Sequence, residues 1–421
     1  MNDKTTRHVA VIGGGIIGAC CALALVRAGQ RVTLIEPETP GGTQAASYGN
    51  GAFLSPASII PMSVPGLWKK VPGYLTDPTG PLTIRWRYLP RLLPWLARFL
   101  YAGHSLKKVR RTASILWSLV HDSPDRHAEL AASCARPEMV RRDGLLYAYP
   151  DRAAFAQEAL SWSLRRENGL TWREIAGEEL REIEPALAPS YSFAVLVESG
   201  ASCTDPGAYV AAVVAQAVAE GAELVRTKAD GFHIVDGKLA GVRTTTGTLA
   251  CDRAVVAAGI RSKSLAGALG DTIPLESERG YHVEIASPDI ALRRPVMPSD
   301  GKMSNVMTPG GLRAAGQVEL ASVDAEPDWR RANILMDHLR RTYPQLATKN
   351  ATARWIGHRP STPDGLPVIG KAKGCGEVVY AFGHGHIGLS AAPRTAEIVT
   401  SLICDTLAPI DTSAFAASRF R

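Results

Sequence analysis

The sequence predicts an α/β chain in which a parallel-sheet domain is assembled from distant segments around an inserted α+β block. Three stretches predict this. Residues 8–36 read as a short apolar strand (9–12), a glycine-rich turn, a helix of small and apolar residues (19–28), and a second buried strand (31–35) ending at Glu36. Residues 252–262 give another buried strand running into a small-residue turn, and residues 378–402 a third strand, a glycine-rich turn and a helix. If these share one sheet, that domain is discontinuous.

Each residue of the first turn has a physical job. Gly13, Gly15 and Gly18 stand at G-x-G-x-x-G spacing. Gly13 permits the tight turn, Gly15 lets backbone approach a pyrophosphate, and Gly18 lets helix and strand pack closely. The N-terminus of that helix, with Ile16 and Ile17 in the turn before it, offers free N–H groups and a partial positive charge to that pyrophosphate. Glu36 is placed to accept both hydroxyls of an adenosine ribose. The motif alone is weak, but strand, turn, helix, second strand and acid occur together, which makes this a dinucleotide site.

Bulk properties set the outer limits. A chain of 421 residues allows two or three domains. Seven cysteines without C-x-x-C or metal-ligand spacing read as reduced thiols, so no metal site and a cytoplasmic setting are expected. Lys4, Arg7 and the apolar run behind them resemble a signal peptide only superficially, since no A-x-A-type cleavage site follows. No apolar run reaches ~18 residues, so no membrane span is expected.

Taken in order, the loop at 44–56 is small, glycine-rich and nearly uncharged. Ser47, Asn50, Gly51 and Ala52 can lie flat against a planar group, with backbone N–H groups donating to it. Between 66 and 112, Lys69, Lys70, Arg85, Arg87, Arg91, Arg98, Lys107, Lys108, Arg110 and Arg111 face only Asp77, interleaved with Trp68, Tyr74, Trp86, Tyr88, Trp95, Phe99 and Tyr101. Residues 89–100 have an apolar helical face with basic residues opposite. One reading is an interfacial helix giving peripheral contact with the inner face of the plasma membrane. The other is a helix packed on its own domain. Nucleic acid is not expected, because no nucleic-acid module is present.

Residues 144–149 read as a strand, 152–168 as a helix and 178–184 as a short helix stopped by Pro185. Asp205 and Pro206 are an N-cap and first helical residue for a helix over 209–220. Strands follow at 223–226, 231–235, 238–244 and 248–251, with turns at Asp236-Gly237 and Thr246-Gly247. Ala258 and Gly259 end the strand of 252–262 with residues small enough to approach a dinucleotide. Alternation over 279–284 puts Arg279 and Tyr281 on one strand face. Residues 312–319 continue from a Pro-Gly-Gly turn, and 328–343 read as a helix.

Residues 355–370 hold so many prolines and glycines that a fixed loop is expected, carrying Arg359. An arginine held rigidly there suits bidentate capture of a carboxylate; the alternative is an arginine bonded to loop carbonyls. The second glycine-rich helix start, Gly383 to Gly388, aims N–H groups and a positive dipole end at an anionic centre.

These residues carry a resemblance. Gly13-x-Gly15-x-x-Gly18 with Glu36, Ser47-Tyr-Gly-Asn-Gly-Ala52, Asp205-Pro206, Val255-Val-Ala-Ala-Gly259, Gly357-x-Arg-Pro-x-Thr-Pro-Asp-Gly-x-Pro-x-Ile-Gly370 and Gly383-His-x-x-x-Gly388 are similar to the D-amino-acid oxidase-type FAD oxidoreductases, especially bacterial D-amino acid dehydrogenases. The resemblance spans nearly the whole chain. It implies a discontinuous Rossmann-like FAD-binding domain (1–57, 199–272, 353–421) and an α+β substrate domain (58–198, 273–352) whose mixed or antiparallel sheet roofs the flavin. It implies that Arg359 and Tyr281 hold the substrate carboxylate and that His386 faces substrate. Gly385, His386, Ile387, Gly388 and Leu389 would line the isoalloxazine. The arginine region lacks a cysteine of the kind that sarcosine-oxidase relatives use, so FAD is expected to be non-covalent.

The expected reaction is oxidative deamination of a D-amino acid by hydride transfer to flavin, cyclic substrates such as D-proline or 4-hydroxy-D-proline included. The basic aromatic segment points to a quinone-type acceptor. With the amine unprotonated no dedicated base is expected; His384 and His386 are the nearest ionisable candidates to adjust amine protonation, and each could equally brace its loop. Glycine- or sarcosine-type oxidation, 2-hydroxy-acid dehydrogenation and a flavin-bearing subunit of a larger assembly are alternatives. An NAD enzyme fits Glu36 but leaves the loop at 47–52 and the second helix start unexplained.

Overall fold

The computed structural model describes residues 6–68, 73, 80–347 and 352–420; Lys69, Lys70, Tyr74 and Asp77 of the basic stretch lie outside them. Two large sheets organise the chain. The first runs Glu223–Val225, Arg31–Ile35, His8–Ile12, Arg253–Val256, Val378–Phe382, Val368–Lys371. Only the last pairing is antiparallel. Helices Ile16–Arg27, Pro206–Ala219 and Gly388–Cys404 share one apolar core with these strands. A second core covers the opposite face, which is why the strands are apolar along their length rather than alternating.

Residues 229–250 form the expected three-stranded antiparallel flap, Ala229–Val235, Lys238–Thr244 and Gly247–Ala250. Asp236 and Gly237, at φ 49° and 76°, make its first turn. Asp205 caps helix Pro206–Ala219 as its position predicts, Oδ1 accepting from Ala208 N at 3.0 Å.

The second sheet has nine strands. Its path is Thr352–Ser361, Glu276–Ile285, Gly311–Leu320, Ser304–Thr308, Val296–Pro298, Leu145–Tyr149, Phe193–Val197, Arg173–Ala176, with Leu82–Ile84 alongside Gly311–Leu320. It is mixed: Leu145–Tyr149 pairs parallel with Val296–Pro298 among mostly antiparallel neighbours. Helix Arg330–Thr342 covers one face through Ala332, Leu335 and Leu339.

Several expectations are corrected. The segment holding Arg359 is not a loop but the ten-residue edge strand Thr352–Ser361, paired throughout with Glu276–Ile285. An edge strand tolerates Pro360 because one side of its backbone needs no ladder partner, and Gly357 lies directly opposite Gly280. That strand therefore belongs to the second sheet, and the boundary placed at 353 divides it wrongly. Helices Leu106–Val120 and Ser123–Ser133, assigned to the substrate block, pack into the first sheet's core through residues such as Leu116 and Ala131. The helix expected over 152–168 breaks into Arg152–Ala156 and Ala159–Glu167.

The basic helix spans Leu89–Ala102. Leu92 and Trp95, three residues apart on one stripe, are buried against Ile84 and Leu320. Much of its apolar face is thus spent on its own sheet. Trp86, Leu93 and Tyr101 nevertheless stay exposed. Among the described residues no helix is long and apolar enough to cross a membrane.

Candidate active site

The first turn is built by close backbone approach. A Cβ at Gly18 would stand 1.8 Å from Gly13 O, and one at Gly13, whose φ is +105°, 2.6 Å from Ala257 O. The turn therefore needs glycine at both positions, and Ala257 lets the strand Arg253–Val256 come beside it. Glu36 is buried at the end of its strand, its Oε2 accepting from Gly14 N at 2.6 Å and Oε1 from Glu38 N at 3.1 Å. Helix Ile16–Arg27 has no acidic residue in its first turn. Space in front of Gly15 is open except for Ser47 Oγ, which accepts from Ile16 N at 3.1 Å. Gly259 has φ +56° and nothing near where a Cβ would stand. An open helix start with bare backbone and a fixed carboxylate one strand away fits the pyrophosphate and ribose of FAD.

The glycine-rich loop bridges the two sheets. Asn50 Oδ1 accepts from Ala52 N at 2.8 Å, folding the chain so that Ala52 takes φ 62°. A Cβ at Gly51 would meet Ser304 Oγ at 2.2 Å, so that backbone lies directly on the second sheet. His282 anchors the same loop: it stacks on Trp355 at 5.1 Å and its Nδ1 lies 3.4 Å from Gly49 O. Burial, aided by the nearby Arg313 charge, pushes its pKa down to about 4, so it is neutral. Glu284 is held by Arg313 and Thr308. His282 and Glu284, polar neighbours of Tyr281 along the strand, are thus committed to holding the loop, His282 directly and Glu284 through Arg313, which donates to Tyr48 O.

At the second glycine-rich start, Gly383 and Gly385 have φ +83° and +51°, and a short 3-10 turn Gly385–Ile387 leads into Gly388–Cys404. No acidic residue lies in its first turn. Ile387 and Leu389 are buried in the first sheet's core, and Leu389 O accepts from His127 at 2.8 Å. His384 is a bracing residue: it is buried, its Nε2 is 3.0 Å from Thr395 Oγ1, and burial pushes its pKa down to about 3. His386 points the other way, its Nε2 2.5 Å from Glu278 Oε2.

Arg359 stands opposite Glu278 in the strand ladder, so both project from one face, along with Gly280 and His282. Its guanidinium lies over Gly280, where a Cβ would meet Cζ at 2.3 Å. Nη1 donates to Gln317 O at 3.0 Å, and no carboxylate among the described residues forms an ion pair with it. Burial pulls its pKa below the usual value, which the Glu278 charge only partly offsets.

Tyr281 is not beside it. Odd-numbered residues of Glu276–Ile285 face helix Arg330–Thr342, and Tyr281 is 1% exposed in that core. Its OH donates to Glu319 Oε2 at 2.6 Å and accepts from Asp328 N at 2.9 Å. The expected Arg359–Tyr281 clamp is therefore split across the sheet by strand alternation. Glu278, Gly280 and Trp355 were missed. Glu278 and His386 are 108 residues apart, and nothing local marks their contact.

The FAD dependent oxidoreductase family, DAO, matches residues 8–402. A D-amino-acid oxidase of Bradyrhizobium diazoefficiens is 50% identical over 98% of this chain and 99% of its own length. A D-amino acid dehydrogenase 2 of Ralstonia nicotianae is 30% identical over 98% of this chain and 100% of its own. Among solved structures, glycine oxidase from Geobacillus kaustophilus aligns at TM-score 0.72 with 22% identity over 98% of this chain and 99% of that one. L-proline dehydrogenase from P. horikoshii aligns at 0.73 with 19% identity over 99% and 98%. At that identity the two structures share the fold.

Proposed function

The chain belongs to the DAO family of FAD-dependent oxidoreductases, and on that premise we propose that it oxidises free D-amino acids at Cα, with Arg359 gripping the substrate carboxylate. The activity is FAD-dependent amino acid oxidation. When bound, FAD supplies the two-electron acceptor that takes the hydride from Cα. Gly13, Gly15, Ile16, Ile17, Gly18 and Glu36 would hold its pyrophosphate and ribose. Ser47, Asn50, Gly51, Ala52, Ala258, Gly259 and the turn from Gly385 to Leu389 would line its planar portion.

The observation that carries the substrate reading is the state of Arg359. It is a charged fork on the sheet face that meets the glycine-rich loop, bonded among the described residues to one carbonyl and to no carboxylate. An arginine left with donors to spare in such a place suits bidentate capture of an incoming carboxylate. The names of the two sequence relatives support a D-amino acid over its L-enantiomer.

The test is anaerobic addition of single amino acids to the purified protein, watching the flavin band. D-amino acids should bleach it and L-enantiomers should not. The series includes D-proline and 4-hydroxy-D-proline. Bleaching only by an N-methyl amine or a 2-hydroxy acid would replace the reading with a sister activity. No bleaching with FAD bound would favour a flavin-bearing subunit.

A second reading concerns the acceptor. The name of the 50% identical relative supports oxygen. The face formed by Trp86, Arg87, Arg91, Leu93, Arg98 and Tyr101 supports a membrane quinone: all six are exposed, and the three arginines make no ion pair among the described residues. Reduced protein mixed with oxygen or a soluble quinone, with and without anionic vesicles, separates the two.

A further inference from the structure

We propose that Glu278 and His386 form a carboxylate–imidazole dyad that takes the proton from the substrate ammonium, Glu278 acting as a positioning residue through His386. This rests on the amino acid reading above. An alkyl ammonium is protonated at neutral pH. Hydride departure from Cα needs the nitrogen lone pair to stabilise the carbon left behind. A protonated nitrogen has none to give, so something must first accept a proton.

Among the described residues, the groups around this face leave one candidate. Arg359 is a permanent cation. His282 and His384 are held neutral by burial and committed to Trp355 with the Gly49 carbonyl and to Thr395. Glu276 is bonded to Tyr88 and Lys263. His358 sits on the sheet's other face with Ser277, its pKa lowered by burial and then by the Arg279 and Arg261 charges. His386 remains. Its side chain is 36% exposed while Glu278 behind it is 6% exposed.

The contact sets the tautomer. Glu278 Oε2 accepts from Nε2, so a neutral His386 carries its free lone pair on Nδ1, which has no hydrogen-bond partner among the described residues. The loop bearing His386 is tied to the strand bearing Arg359 by the Ser361–His384 bridge. A carboxylate gripped by Arg359 thus leaves its α-nitrogen in the neighbourhood of that imidazole. The ammonium N–H bond breaks with its electron pair staying on nitrogen, and a new N–H bond forms at Nδ1. The resulting imidazolium faces the Glu278 carboxylate, which stabilises it. Glu278 is fit for this: burial pushes its pKa up, but the His386 contact and the Arg359 charge outweigh that and hold it below the usual value.

The experiment is stopped-flow anaerobic flavin reduction between pH 6 and 10, with a D-amino acid that reduces the wild type. E278Q and H386N should each slow reduction at pH 7 by about 10²-fold, the size of a lost proton acceptor. Both should approach wild type at pH 10, where the free amine no longer needs one. The double variant should be no slower than H386N. Equal loss at every pH, or none at pH 7, overturns the dyad. One further readout does not depend on turnover. Propionate, a carboxylate without an amine, should perturb the flavin spectrum with wild-type affinity in both variants. Weaker binding in E278Q would make Glu278 a builder of the Arg359 site instead. If no D-amino acid reduces the wild type, the amino acid reading falls and the dyad with it; reduction with a flat variant profile sinks the dyad alone.

Discussion

Strand Glu276–Ile285 carries charge on both faces, and the two faces treat an arginine in opposite ways. On the helix-covered face, Arg279 is 1% exposed, lies 3.3 Å from Glu319, and donates to Ala325 O. Glu319 is shared with Arg85 at 2.6 Å and with Tyr281. On the loop-covered face, Arg359 has a single carbonyl partner and bare glycine beneath it. Burial alone does not distinguish structural from functional charge. The distinction is whether a carboxylate already neutralises the charge: Glu319 does so for Arg279, although Arg279 Nε and Nη1 have no hydrogen-bond partner among the described residues.

The largest test of that contrast is R359A. Removing a desolvated charge partner costs roughly 2–5 kcal/mol of binding. So kcat/KM for a D-amino acid should fall by about 10²–10³, with the thermal midpoint nearly unchanged. A large loss of stability would mean Arg359 is structural after all. On the other face the pattern should invert. E319A leaves Arg279 as an uncompensated buried charge and should cost roughly 3–5 kcal/mol of stability. KM of the surviving folded protein should hold. Denaturant titration beside steady-state kinetics reads both.

G280A refines the argument. The added methyl displaces the Arg359 guanidinium without touching its charge. Since a misplacement of ~1 Å can cost about 10² in rate, KM should rise about ten- to a hundredfold with stability intact. Y281F probes the same strand from its other side. It removes the hydroxyl between Glu319 and Asp328 N and should cost about 1–3 kcal/mol. KM should not move, whereas a fall in kcat/KM like that of R359A would restore the two-residue clamp.

The smallest effect is in pH. His282 is pushed from an ordinary 6.5 to about 4 by burial first and then the Arg313 charge. Its stabilising contribution is complete above pH 6.5 and is lost as pH falls toward 4, because the unfolded chain takes up a proton that the folded chain refuses. The thermal midpoint should decline over that window, less steeply in H282Q. Parallel curves for the two proteins would show that His282 does not hold the glycine-rich loop in its neutral form.

Much of this is legible in the sequence. The first sheet's strands, the Asp205 cap and both glycine-rich helix starts follow local rules, since each depends on residues within one or two turns of chain. The segment at 355–370 misled for an equally local reason. Proline and glycine counts forecast irregular backbone, but an edge position removes the penalty for Pro360, and Gly357 is needed to face Gly280. For the basic helix, the pattern established amphipathicity and could not say what the apolar stripe would cover.

What the sequence by itself determined was therefore the glycine turn between strand and helix, the acid at Glu36, and the identity of Arg359 as a charge worth watching. Spacing along the chain encodes those directly. Only the tertiary structure decided which side chains share a face. Strand alternation sends Tyr281 into the helix-covered core, and pairing brings Glu278 beside Arg359. The turn at Gly385 then carries His386 across 108 residues of sequence to meet Glu278. No local spacing records such a meeting, because it is set by strand register and by the packing of one sheet on another.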